Sequence, residues 1–460
     1  MVKIIIHNST NMRTYILSLF ALLLLAACGD DVVHNHYYPQ EPETPEQPQE
    51  PSFQPGEWLT DAQSPCYYGL LAEDYLLYPV WLLQAKGMRR AFPDSELVQK
   101  RISDNINLVL KNPGTGTRIT LKMDESPVCH ASEYSITVPQ EQNEETIELE
   151  YPVKWNVDAL LAWHADKPVE LKWILLLDGE EVQYCTYQFN CRSLHSFNTS
   201  FWISKEDNPE TYAEFSKLDF GSWHGIKTEE KIVLNNTPFI MGYIDEHSPF
   251  VEEMKREVVT DGYLPYLTGQ FSPTTEELLN CTARAFNYLM MKYHISYGVS
   301  SADISQYVRT IDDIFRYKQG YCMELAVAFA SFCMNQGVEC TLESVPGHMC
   351  NKIIDKEGKA HPADMTILAS YPQSYPPFAT PPSPTDFEVA DVLYQQTMAQ
   401  AEKSDIEVYE PGRVENPSEY DSINPHELRM YLPSFNIGSN YAHTRAMLGE
   451  EEGLKFRKRK

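Results

Sequence analysis

This chain of 460 residues is poor in positive charge, with 37 Lys and Arg against 65 Asp and Glu and a formal net charge of -28. Phosphate contact needs clustered cations, so the charge argues against a non-specific nucleic-acid binder, and no nucleic-acid partner is expected. The single basic cluster, Lys455-Phe456-Arg457-Lys458-Arg459-Lys460, reads as a solvated tail rather than a docking signal. None of the ten cysteines stands in a CxxC pair, which argues against a structural zinc site. No acidic loop of the calcium-binding type is recognisable, and no metal or cofactor is expected. Internal repeats are lacking. The apolar run from Tyr15 to Leu25 is too short to cross a bilayer as a stable helix. What remains is ample for folding: 43% hydrophobic and 12% aromatic residues over a length that calls for two or three domains.

The N-terminus carries a targeting pattern. Lys3 and Arg13 precede the apolar run, which ends in Leu25-Ala26-Ala27-Cys28. Met12 offers a second, more compact start for the same signal. Small residues before a cysteine resemble the bacterial lipobox, in which the thiol is lipidated and becomes the mature N-terminus. Gly29-Asp30-Asp31 resembles the acidic export signal of Bacteroidetes surface lipoproteins. Residues 1–27 are therefore expected to be a signal peptide and Cys28 the lipidation site, anchoring the chain to the bacterial outer membrane at the cell surface. Nine other cysteines are left, an odd number, so at least one thiol is unpaired in an oxidising compartment.

Residues 28–56 form a tether. Pro39, Pro42, Pro45, Pro48, Pro51 and Pro55 alternate with Glu and Gln and bury nothing. Residues 57–214 are read as β-rich. Val169, Leu171, Trp173 and Leu175 alternate with their neighbours, Asp178-Gly179 makes a hairpin turn, and Val182 to Gln188 keep the period of two. Tyr134–Val138 and Thr146–Tyr151 are further strands. A β-sandwich is the expectation, with an immunoglobulin-like one as candidate. The apolar stretch Cys66–Gly87 has no clean period. Helices are expected from Thr275, with Ala283, Phe286 and Met290 on one face, and over Ile311–Tyr317 with a stop at Gly320.

The segment Gly320-Tyr321-Cys322-Met323-Glu324-Leu325-Ala326 puts a thiol at the head of a helix whose apolar stripe is Leu325, Phe329, Phe332 and Cys333, with Gly337 as its stop. The helix dipole and free N–H groups there favour a thiolate. Val338, Cys340 and Leu342 then alternate with Glu339, Thr341 and Glu343 as a half-buried strand. His348 opens a hairpin, Asp355-Lys356-Glu357-Gly358 turns it, and Asp364 closes it. A loop centred on Lys356 sets His348 opposite Asp364 on one face. A carboxylate holding an imidazole that faces a thiolate is an acyl-transfer arrangement.

"GYCMELA", "GHMCNKIIDKEG" and "HPADMT" resemble, in order and spacing, the three core motifs of the transglutaminase-like superfamily, over about residues 275–366. The resemblance implies an α+β, papain-like fold with a cysteine-bearing helix on an antiparallel sheet. It implies Cys322 as nucleophile, His348 as general base and acid, and Asp364 as orienting carboxylate, with Asn351 and Thr366 as supports. Cys350 stands where the family usually has Trp, and Met365 where it has Pro. The family's oxyanion side chain, upstream of the nucleophile, is not identifiable here.

The expected plan is thus a signal peptide (1–27), a tether (28–56), a β-rich domain (57–214), a transglutaminase-like domain (215–366) and a C-terminal extension (367–460). The extension holds a helix over Phe387–Lys403 that either walls the site or merely prolongs the chain. His361 is read as facing outward, His224, His247 and His294 as structural, and Glu324 as a capping or solvated residue. The function expected is that of a cysteine peptidase or amidase, or a protein transamidase, acting on a peptide or protein substrate. The alternative is an inactive module that binds peptide or glycan. Mass spectrometry of the mature N-terminus should find a lipid-modified Cys28; an unmodified Cys28 or an intact signal contradicts the assignment.

Overall fold

The computed structural model describes residues 76–198, 200–265, 267, 275–298, 306–345, 347–370, 375–409, 421–435 and 453–457. The signal segment, Cys28, the tether and Lys458–Lys460 lie outside the described residues. The chain is α+β.

Its first half is built on a long hairpin, Lys167–Leu177 with Glu180–Cys191. Asp178 and Gly179 both take positive φ, 48° and 95°, the pair of left-handed residues that a two-residue turn between twisted strands requires. Strand order in this sheet is Leu76–Leu77, Glu180–Cys191, Lys167–Leu177, Arg118–Met123, Ser132–Thr137. A second sheet holds Ile106–Lys111, Thr146–Tyr151 and Lys455–Arg457. Val169, Leu171, Trp173 and Leu175 are buried, as are Leu108, Leu110, Ile147 and Leu149. The Tyr134 and Tyr151 rings meet edge to face at 5.3 Å, and the Ser132 and Tyr151 hydroxyls lie 2.8 Å apart. The half is not purely β, because the unassigned stretch before Gly87 runs into the helix Pro79–Ala91.

Two expectations about boundaries are corrected. A line at 214/215 would cut a three-stranded sheet, since Ser200–Ser204 pairs with Lys231–Asn235. Buried residues from Leu77 to Leu454 form one continuous cluster, not two separate cores. Polar ties cross the same line: Gln84 Nε2 donates to the Phe239 carbonyl at 2.6 Å and the Tyr243 hydroxyl to the Leu194 carbonyl at 2.7 Å. The C-terminal part is likewise no mere extension. Asp421–Ile423 is the edge strand of the sheet that carries His348. Residues 455–457 of the basic cluster form a strand against Glu148–Glu150, with Lys455 in register with Glu150 and Arg457 with Glu148.

The second half centres on the helix Cys322–Asn335, buried from Met323 to Cys333. It lies on an antiparallel sheet ordered Ala360–Ala363, His348–Ile354, Cys340–Val345, Asp421–Ile423. Phe286 of the helix Thr275–Tyr293 meets Phe329 at 5.2 Å and Phe332 at 5.6 Å on its other side. Burying each such ring stabilises by roughly 1.5–3 kcal/mol. At its C-terminal end the N–H of Val338 donates to Cys333 and that of Gly337 to Met334, so the turn closes the helix and aims the chain into the sheet. The helix Ile311–Tyr317 ends differently from expectation: Lys318, not Gly320, takes the left-handed conformation at φ 56°.

Leu454 is buried and Phe456 packs against the core. A chain ending at residue 452 should therefore lose about 2–4 kcal/mol of stability in urea unfolding; an unchanged midpoint would mean that the basic cluster is a tail after all.

Candidate functional site

The segment before the nucleophile is held from upstream. Ser296–Tyr297 pairs in parallel with Gln319–Gly320, and the Gly298 N–H donates to the Gly320 carbonyl at 2.9 Å. A side chain at position 320 would press on Leu325 and Ile314, which is why glycine precedes the helix. Tyr321 caps the helix and Cys322 is its first residue, half-buried.

His348 is the first residue of its strand. Its Nε2 lies 2.8 Å from Asp364 Oδ2, which leaves Nδ1 for the sulfur. The hairpin register differs by one step from the expected one: Asn351 pairs with Ala363 and Ile353 with His361, so the loop centres on Glu357. Asp364 is consequently diagonal to His348, not directly opposite. A shift of one residue on both strands preserves the face, so the two side chains still meet. Asp364 stands just past the strand, as the cap of the short helix Met365–Ala369. There its Oδ1 accepts from the Thr366 N–H at 2.9 Å and from the Thr366 hydroxyl at 2.6 Å. Thr366 thus orients the carboxylate. Asn351, fully buried, donates from Nδ2 to the Ala326 and Thr341 carbonyls at 3.1 and 3.2 Å, tying the histidine strand to the cysteine helix.

The electrostatics follow from these contacts. Burial opposes ionisation of Cys322, but His348, the Met349 N–H and the Tyr297 hydroxyl all hydrogen-bond the sulfur and outweigh it, so the thiol is held below its ordinary range. Burial likewise works against the Asp364 carboxylate, and the His348 charge with the Thr366 bonds reverses it, lowering that pKa too. Cys350, on the same strand face as His348, is pushed up to about 12, chiefly by burial and then by Asp364. Two cysteines near the histidine, Cys322 and Cys350, therefore differ sharply in ease of ionisation. Of these two, Cys322 is the one that suits a nucleophile at neutral pH.

The structure brings together Cys322, His348, Asp364, Asn351 and Thr366. It also adds Tyr297, which the sequence reading missed: a two-residue strand has no periodicity to reveal it. Glu324 is fully buried and caps the helix by accepting from the Tyr321 N–H at 3.2 Å, so the solvated alternative for it is set aside. His361 faces Asp355 at 2.8 Å in the turn. His224, read as structural, lies 3.5 Å from buried Asp421, and His247 lies 3.9 Å from Glu246. His294 stacks on Tyr375. Among the described residues no group of three or more His, Cys, Asp or Glu is placed to hold a metal ion, and no helix is long and apolar enough to cross a membrane. The C-terminal helix is longer than expected, Pro384–Tyr409. It flanks the sheet, with Asp405 on Lys352 at 2.9 Å, Asp391 on Arg284, and the Tyr394 hydroxyl donating to Asn280.

No protein-family model matches the chain, and no curated protein does.

Proposed function

We propose that the protein is a cysteine acyl-transfer enzyme of transglutaminase-like type, a peptidase or amidase or else a protein transamidase, anchored by lipid at Cys28 on the bacterial outer-membrane surface. The observation that carries this reading is the contact chain from Asp364 through His348 to Cys322, with the sulfur at a helix start and its ionisation favoured. The Cys322 sulfur attacks the amide carbonyl, forming a carbon–sulfur bond and placing negative charge on the carbonyl oxygen. The donors this reading assigns to that oxygen are the Cys322 N–H at the helix start and the Tyr297 hydroxyl beside the sulfur. His348 then passes its proton to the departing amine, and the acyl group remains as a thioester. Water or a second amine, deprotonated by His348, attacks the thioester and releases the thiolate. Asp364 keeps the imidazole turned toward the sulfur and stabilises its charged form. Peptide or protein is the substrate class this chemistry takes.

A second reading is supported by Cys350. Where the resembled family has a Trp beside the histidine, a small side chain leaves the thiol–imidazole pair without that cover, as suits an inactive cleft used for binding peptide or glycan. Iodoacetamide distinguishes the two. Under the enzyme reading Cys322 is alkylated at neutral pH far faster than the chain's other thiols. His348→Ala should reduce turnover by about 10²- to 10⁴-fold, Asp364→Ala by less, and Cys322→Ala should abolish any acyl-enzyme in intact-mass measurements. A Cys322 that reacts no faster than the remaining thiols favours the binding module.

A further inference from the structure

We infer that Arg309 is a positioning residue for the nucleophile: it neutralises the Glu324 carboxylate in the first turn of the cysteine helix, so that the helix start stays positive toward the Cys322 sulfur. The assignment rests on the cysteine–histidine reading above.

Glu324 is two residues along the helix from Cys322 and has no exposure to solvent. Its role as a cap is plain, since its Oε2 accepts from the Tyr321 N–H. That cap has a cost at this site. A carboxylate beside a thiol disfavours the thiolate, because two like charges in one buried region resist the second ionisation. Burial strengthens the effect, since little water is present to screen it. Helix polarity and free N–H groups favour the thiolate, and an unpaired Glu324 would oppose them from within the same turn.

Arg309 removes the conflict. Its Nε donates to Glu324 Oε1 at 2.7 Å and its Nη2 to Oε2 at 2.6 Å, a two-pronged pair. Its backbone N–H adds a third bond to Oε1 at 2.9 Å. Glu324 in turn, through these bonds, keeps the half-buried guanidinium firmly charged. Both carboxylate oxygens are thus engaged, three of their four hydrogen bonds coming from one residue. Arg309 lies immediately before the helix Ile311–Tyr317, which leads through Lys318 and Gly320 into Cys322. The pair therefore also fastens the approach to the nucleophile onto the nucleophile's own helix. A fastening role alone would alter stability and leave the ionisation of the sulfur untouched; charge neutralisation has a sign.

That sign is measurable in the full chain, by following iodoacetamide alkylation of Cys322 against pH with peptide mass spectrometry. Arg309→Gln leaves Glu324 uncompensated, and its rate profile should move to higher pH, with alkylation about tenfold slower below the midpoint, the equivalent of one pKa unit. Glu324→Gln leaves the guanidinium uncompensated while keeping an acceptor for the Tyr321 N–H, and its profile should move to lower pH. The two variants err in opposite directions, so misfolding of one does not mimic the result of the other. Profiles that stay on the wild type, or that shift the same way, overturn the inference while a fast wild-type Cys322 leaves the enzyme reading standing. A wild-type Cys322 no faster at about pH 6 than the part-buried Cys281 overturns both.

Discussion

A thiol taken out of water resists ionisation, and every feature around Cys322 answers that one constraint. Desolvation raises the thiol's pKa, so a thiolate there depends on enough donors converging on the sulfur to reverse the sign. Three come from two separate parts of the fold: His348 at the start of one strand with the Met349 N–H beside it, and Tyr297 from a short strand upstream of the helix. The contrast with Cys350 is instructive. It lies on the same strand as His348, yet Asp364 and Glu343 add to its burial, His348 and Lys352 only partly offset them, and the proton stays in place.

Holding those donors requires rigidity, and the packing explains how it is supplied. The cysteine helix is buried from Met323 to Cys333, with Phe286 against its own Phe329 and Phe332 and the histidine strand beneath. Asn351 spans helix and strand with a single amide, so neither can slide along the other without orphaning a buried donor. Asp364 is fixed twice over by Thr366 before it meets His348. Orientation of the imidazole thus propagates from a helix cap, a local structure that short-range residue chemistry suffices to build.

Much of this was legible in the residues. The positive-φ Asp178-Gly179 turn, the helix beginning at Cys322 and the parity of the His348 hairpin all follow from local rules, and parity matters more than loop length because faces alternate with a period of two. The register itself was one step off, since Asp355 and Lys359, not a turn centred on Lys356, close the loop. Strand alternation failed at Glu343, which is buried beside Asp421 rather than solvated. The misses share a cause. Tyr297, Arg309, the edge strand Asp421–Ile423 and the strand Lys455–Arg457 reach their partners across long stretches of chain, and nothing in a local window records such pairing. Domain boundaries suffered for the same reason, because the far end of the chain completes sheets begun much earlier.

The central claim, that Cys322 carries a stabilised thiolate beside His348, is tested most directly by the ultraviolet absorbance of the thiolate as pH is lowered. Subtracting the Cys322→Ser profile isolates this one sulfur from the other cysteines. The account predicts a difference that persists well below the ordinary thiol range of about 8.5 and collapses toward that range when His348→Ala is introduced. A difference that disappears as soon as the pH falls below that range, with or without His348, would contradict it.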